Sequence, residues 1–188
     1  VNNSSGEYLL FLNNDTEVIT HDWIQSLLEH AQRPEIGMVG PKLIFEDKTI
    51  QHAGIVLSER DIAFHPFYGQ DERTDIFTYI YTANIRNVSA VTGACCMVSR
   101  DKFNKVGGFD NKLRITYNDV DLNLKLRKEG YYNVYTPYAE LFHYESKSVG
   151  RINTSERDIS ELESAQKEMR KRWGEYLKRD PFYNDNFE

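Results

Sequence analysis

Short apolar runs alternate along this chain with stretches whose apolar positions recur at helical spacing, a pattern that predicts an α/β domain. Leu9-Leu10-Phe11-Leu12 reads as a buried strand, apolar without interruption in the manner of a parallel-sheet strand, and it runs directly into Asn13-Asn14-Asp15-Thr16-Glu17. Thr20 or Asp22 is a fitting cap for a helix through Trp23, Ile24, Leu27, Leu28 and Ala31, which Pro34 and Gly37 stop. Met38 to Phe45 predicts a strand bent at Gly40-Pro41, and residues 50–57 predict another. From Ser58 to about Asn87 the pattern is polar, aromatic and weakly periodic, too long for a simple connection, so it reads as a binding loop or an insertion with short strands of its own. Val88 to Ser99 is apolar with one break at Gly93, the mark of a bulge or of a backbone that approaches a ligand closely. Leu122 and Leu126 followed by Gly130 predict a helix, Tyr132 to Thr136 a strand ending at Pro137, and Ala139 to Ser146 a strand carrying His143. Ile159, Leu162, Met169, Trp173 and Tyr176 predict a helix from Ser155 to Leu177 packed on the core.

Composition narrows the class. The 188 residues are 40% hydrophobic and 13% aromatic, enough for the core of one domain. A net charge of −6 argues against a nucleic-acid partner, since phosphate backbones are met by clustered Lys and Arg. No apolar run approaches the ~20 residues of a membrane span, and the first residues lack the pattern of a secretory signal. Cys95 and Cys96 are adjacent, so they cannot staple distant segments and do not suggest a zinc site; a reduced, cytoplasmic setting fits them.

Three places carry candidate chemistry. Asn13 and Asp15 point to one side if the strand continues, and their oxygens suit a hard divalent cation that also holds a phosphate; the alternative is a polar turn satisfying its own backbone. Asp119, at the start of the 122–130 helix, is either an N-cap or a general base held ionised in a cleft, and Asp121 is a favourable first-turn acid. His143 at a strand end is either structural or a third corner of the same site, an imidazole that joins carboxylate and phosphate around Mn²⁺ or Mg²⁺. His52 and His65 flank the irregular region, with ligand contact and structural roles both open. Tyr79, Tyr81 and Tyr144 are either ordinary core-edge residues or aromatic faces on which a ligand ring could stack. Lys167, Arg170, Lys171 and Arg172 form either a solvated helix face or a contact with an anionic membrane.

The order Leu-Asn-Asn-Asp-Thr-Glu-Val, Val-Thr-Gly-Ala-Cys-Cys-Met-Val, Val-Gly-Gly-Phe-Asp, Asn-Asp-Val-Asp-Leu and Tyr-Thr-Pro-Tyr-Ala-Glu-Leu-Phe-His-Tyr-Glu-Ser resembles the family 2 glycosyltransferases, in particular the bacterial branch that builds O-antigen, rhamnan and other surface polysaccharides. The resemblance implies a GT-A-like α/β fold, a mixed sheet flanked by helices, with residues 1–150 as the metal and acceptor side of the catalytic domain and 151–188 as a C-terminal helix and tail packed on it. It implies an inverting transfer from a nucleoside-diphosphate sugar to a glycan or lipid-linked acceptor, with Asp119 as catalytic base. Asp15 and His143 would hold the divalent metal, Mn²⁺ or Mg²⁺. Asn13, Asn14, Gly93 and Ala94 would lie on the donor side; Asn118, Asp121, Phe109 and Asp110 on the acceptor side. Two departures stand out. One aspartate replaces the usual pair at Asn13-Asn14-Asp15, and the nucleotide-binding half with which family members begin is absent, so a fragment is expected, inactive by itself and prone to self-association along an exposed sheet edge. The expected place of action is cytoplasmic, at the inner face of the plasma membrane. A non-catalytic carbohydrate-binding or interaction module on the same fold is the alternative.

Overall fold

The computed structural model describes residues 1, 3–113, 116–144 and 156–184. Its main sheet is built from β1 (Tyr8–Leu12), β2 (Thr16–Val18), β3 (Ile36–Ile44), β8 (Cys95–Ser99) and β9 (Tyr132–His143), in the order β1-β8-β3-β9-β2. β3 is buried along its whole length and is parallel to β9 but antiparallel to β8, so the sheet is mixed. The expectation of a parallel neighbour for the first strand is corrected: β1 pairs antiparallel with β8, Leu9 opposite Val98, and stands at the sheet's edge among the described residues. Its apolar run has another cause. Leu9 and Phe11 join a core cluster with Met38, Val98, Leu122 and Leu126, whereas Tyr8 and Leu10 join Leu27, Ala31, Val39 and Leu141 on the opposite face. Both faces are covered, so neither set of alternating positions can be polar.

Helix α1 (Trp23–Ala31) covers one face through Leu27 and Ala31. The other face carries α3 (Arg100–Lys105) through Phe103 and α4 (Asn118–Lys128) through Leu122 and Leu126. Fully burying each such leucine is worth about 1.5–3 kcal/mol, so α4 is anchored firmly behind the site described below. The 50–57 run divides into β4 (Ile50–His52) and β5 (Val56–Ser58) at Gly54, whose φ of +95° and close approach to Val88 leave no room for a side chain. The irregular region, expected to be a binding loop or an insertion with short strands of its own, does carry short elements: β5 pairs with β6 (Ile62–Phe64), α2 (Ile76–Thr82) follows, and β7 (Arg86–Val88) returns to the main sheet beside β9.

The two strands expected on either side of Pro137 are one strand, β9; a register shift against β3 between Pro41 and Lys42 accommodates a proline that has no N–H to give. Glu145 and Ser146, expected at its end, and Ser155, expected to open the last helix, lie outside the described residues. Helix α5 (Glu156–Leu177) packs Ala165, Met169, Trp173 and Leu177 against Ile55, Leu57, Ile62, Val120 and Leu124. Ile159 is 47% exposed, so the packed stripe begins later than its periodicity suggests. No helix among the described residues is long and apolar enough to cross a membrane.

Candidate active site

The C-terminal ends of β1 and β9 meet at the first corner of the site. β1 stops at Leu12, and Asn14 and Asp15 form a turn into β2, with Thr16 Oγ1 donating to the Asn13 carbonyl at 2.8 Å. The polar-turn reading of this segment is thus correct for its backbone. The same turn places chemistry, because Thr16 is in register with His143 and Tyr144 N donates to the Asp15 carbonyl at 2.9 Å. Asp15 Oδ1 lies 3.2 Å from His143 Nε2, and the Asn13 amide lies 3.3 Å from the same nitrogen. Asp15 Oδ1 is buried and has no directed hydrogen bond, a costly state for a carboxylate oxygen unless a cation completes it.

That orphaned oxygen beside an imidazole nitrogen fits a divalent ion. An octahedral ion with bonds of about 2.1 Å has neighbouring ligands about 3 Å apart, close to the separation seen here. It does not fit an all-protein cage, since no group of three or more His, Cys, Asp or Glu side chains converges anywhere among the described residues. A metal here would complete its shell with phosphate oxygens, as Mg²⁺ commonly does.

The second corner is the start of α4. Tyr117 takes a left-handed conformation, φ 61°, a strain of about 1–3 kcal/mol of the kind that gathers at functional sites. It turns the chain so that Asn118 and Asp119 begin the helix facing the cleft. Asp119 accepts from Gly93 N through Oδ2 and from its neighbour Val120 N through Oδ1, both at 2.8 Å. The close backbone approach read from Gly93 is therefore to a carboxylate of the chain itself: a Cβ on Gly93 would stand 3.3 Å from Asp119 Cβ. Buried Asn123 fixes this arrangement, donating to Asp119 O and Val91 O and accepting from Val91 N, while Asn133 bridges Ser89 O, Asn123 O and Met38 N. Helix, strand-linking segment and sheet are locked at one point.

The two corners line one cleft of about 460 Å³, with Phe11, Leu12, Asn13, Thr92, Gly93, Ala94, Phe109, Asn118, Asp119 and His143 on its walls. Asp15 is not part of that lining but stands beside His143, which is. Phe109, 36% exposed, packs edge-on to Phe11 at 5.0 Å and offers an apolar wall. Asn14 is exposed on the turn and is not part of the lining.

Two residues expected on the acceptor side are corrected. Asp121 is fully buried: its Oδ1 accepts from Trp173 Nε1 at 2.9 Å and Arg172 Nη1 at 3.2 Å, and Lys125 Nζ forms an ion pair with Oδ2 at 2.8 Å. Asp110 caps Lys112 N and pairs with Arg172 at 2.7 Å; the backbone N–H first, then the guanidinium, hold its carboxyl below the usual range. Both tie α4 and the preceding turn to α5. Arg172, read as part of a basic helix face, lies inside this network with Glu168. His52 is likewise internal. It is fully buried against His65, Nδ1 to Nδ1 at 3.0 Å, and burial keeps its pKa well below the ordinary value.

The sequence reading missed Gln51, which is buried on β4 and contacts His143 twice. An amide directly after Ile50 within a predicted strand was the available signal.

Comparison with known proteins bears directly on this cleft. The family model of glycosyl transferase family group 2 matches residues 8–174, which includes both corners. The chain is 43% identical over 145 residues to the O-antigen biosynthesis protein RfbC of Myxococcus xanthus, covering 77% of this chain and 11% of that protein. It is 31% identical over 135 residues to the N-acetylglucosaminyl-diphospho-decaprenol L-rhamnosyltransferase of Mycobacterium tuberculosis (strain CDC 1551 / Oshkosh), covering 68% of this chain and 44% of that enzyme. The chain thus spans less than half the length of either relative. Among solved structures, GalNAc-T7 with UDP, GalNAc and Mn²⁺ superposes with a TM-score of 0.55 at 17% identity, covering 74% of this chain and 28% of that one, a likeness of fold. With its GT-A-like α/β fold and a family match across nearly its whole length, the chain belongs to glycosyl transferase family group 2.

Proposed function

We propose that this chain carries the reacting part of a metal-dependent, inverting glycosyltransferase that moves a sugar from a nucleoside diphosphate to a hydroxyl of a surface polysaccharide or lipid-linked glycan. The observation that carries the reading is the Asp119 carboxylate, held at the cleft by two backbone N–H groups and, among the described residues, by no cation, with His143 of the Asp15–His143 pair lining the same cleft. An acceptor-only group fixed by the backbone can take a proton from an incoming hydroxyl as that oxygen attacks the anomeric carbon. Attack on the face opposite the departing diphosphate passes through an oxocarbenium-like transition state and inverts the centre without a covalent enzyme intermediate. Asp15 and His143, with Asn13 beside them, would hold Mn²⁺ or Mg²⁺, which when bound supplies Lewis-acid stabilisation of the leaving phosphate. Ala94, Gly93 and Asn13 shape the donor side, and Phe109 with Asn118 the acceptor side. The relatives' names motivate the acceptor class.

The test is transfer by the protein carrying this sequence, from a panel of nucleoside-diphosphate sugars to polyprenyl-diphosphate-linked and free glycan acceptors, in Mn²⁺ and in EDTA. Transfer that needs the metal, yields the inverted anomer and collapses in Asp119→Asn supports the reading. Undiminished transfer by the variant rules out the assigned base.

A further inference from the structure

We infer that Gln51 is a positioning residue that fixes the tautomer of His143 and so decides which nitrogen the cleft receives. The inference rests on the metal reading above for its purpose, but its geometry stands by itself. Gln51 Nε2 lies 3.1 Å from the His143 carbonyl oxygen, and Gln51 Oε1 lies 2.6 Å from His143 Nδ1. A backbone carbonyl can only accept, so the amide must present its NH₂ there. That leaves the amide oxygen, also only an acceptor, facing Nδ1. Nδ1 must therefore carry the proton, and in the neutral ring the lone pair belongs to Nε2.

Nε2 is turned toward Asn13 of the cleft wall, whose amide NH₂ it can accept from at 3.3 Å, and lies 3.2 Å from Asp15 Oδ1, which has no hydrogen bond of its own among the described residues. In this tautomer the two atoms face each other as acceptors, an arrangement that favours a cation and disfavours a neutral histidine donating to aspartate. One amide thus makes the corner a ligand pair instead of a self-satisfied hydrogen bond. Gln51 is itself buried on β4, which pairs with the end of β3, so the clamp is backed by the sheet. Its neighbour Ile50 exchanges backbone bonds with Gly69 and Gln70, so the clamp is also tied to the insertion between β4 and β7. Partners of this kind hold metal-binding histidines in many proteins, and losing one typically lowers metal affinity about 10- to 100-fold.

The experiment uses the 188-residue chain with ¹⁵N-labelled histidine, at a pH where the ring is neutral, comparing wild type with Gln51→Met and Gln51→Glu. Methionine keeps the volume and removes both polar contacts; glutamate keeps the acceptor that Nδ1–H needs. Ring ¹⁵N spectra without metal should show His143 as the Nδ1–H tautomer in wild type and in Gln51→Glu, and a mixture or the Nε2–H form in Gln51→Met. Mn²⁺ titration followed by electron paramagnetic resonance should show about 10- to 100-fold weaker binding in Gln51→Met. An unchanged tautomer together with unchanged Mn²⁺ affinity in Gln51→Met overturns the inference. The Nδ1–H tautomer in a wild-type chain that binds no Mn²⁺ even with inorganic pyrophosphate present to fill the remaining positions upholds the clamp and overturns the metal reading instead.

Discussion

Asp119 and Asp121 are two residues apart on one helix, yet they live in opposite electrostatic worlds. Asp121 is fully buried and surrounded by cations and an indole N–H: Arg172, Lys125 and Trp173 all point at it. Asp119 is half-buried, its carboxylate accepts from two backbone N–H groups and meets no cation among the described residues, and it opens onto the cleft. The difference teaches how to tell a structural carboxylate from a chemical one. A structural acid brings its own counter-charge, because an ion buried without one costs several kcal/mol. A reactive acid is left short of cations, since a paired guanidinium would lower its appetite for a proton. Asp15 falls on the reactive side of that line and Asp110 on the structural side.

The same substitution at both sites tests that contrast. Asp119→Asn keeps an acceptor for Gly93 N but turns its NH₂ toward Val120 N, so it should cost about 1–2 kcal/mol of stability, less than the change at Asp121, while transfer falls about 10²- to 10⁴-fold, the usual worth of a general base. Asp121→Asn should do the reverse. Removing the charge leaves Lys125 and Arg172 beside a neutral amide in the interior, at a cost of about 3 kcal/mol. For a domain of this size that is a fall in Tm on the order of 6–12 °C. Transfer per folded molecule, measured well below the lowered Tm, should be largely kept. A stable but inactive Asp121→Asn would return that residue to the active site and break the distinction.

How far the sequence went follows the same division. The strands β1, β3 and β9 and the helices α1, α4 and α5 were legible because their apolar spacing is local, and the three corner residues Asp15, Asp119 and His143 were legible because they stand at the ends of those elements. Asp121 was misread because periodicity gives the phase of a helix but not what packs against it. The partner that buries it, Arg172, is 51 residues away on α5. The direction of β1's neighbour was misread for a similar reason: coverage of both faces produces an apolar run whether the adjacent strand is parallel or not. The role of Gln51 was missed because its contacts with His143 are 92 residues distant in the chain, and a polar residue in a predicted strand does not say what it meets. The break in the 88–99 run was read as a bulge or as a close approach to a ligand; it is a close approach to Asp119 of the chain itself, since a glycine reports room lost to something but not to what.

His52 extends the contrast to a buried base, and here the expected effect is smaller. It is fully buried, chiefly desolvation keeps it neutral, and the nearby His65, Arg86 and His143 add to the penalty for charging it; no carboxylate is among its causes. Its folded pKa lies well below the ordinary 6.5, so below that pH the unfolded chain binds a proton that the folded chain refuses. Stability is therefore complete above about pH 7 and falls as pH drops through the unfolded value, by at most about 1.4 kcal/mol per pH unit for this one group. His30, whose pKa burial also lowers, adds a slope of the same sign, so the signature of His52 is a difference between two proteins. Urea unfolding of wild type and His52→Gln at pH 7.5, 6.0 and 5.0 isolates it. The variant starts from lower stability, having lost its fit against His65 and Tyr135, but loses less on acidification. Parallel pH dependences would mean that His52 takes up its proton in the folded state, and that the interior beside Gln51 tolerates an unpaired charge as the interior around Asp121 does not.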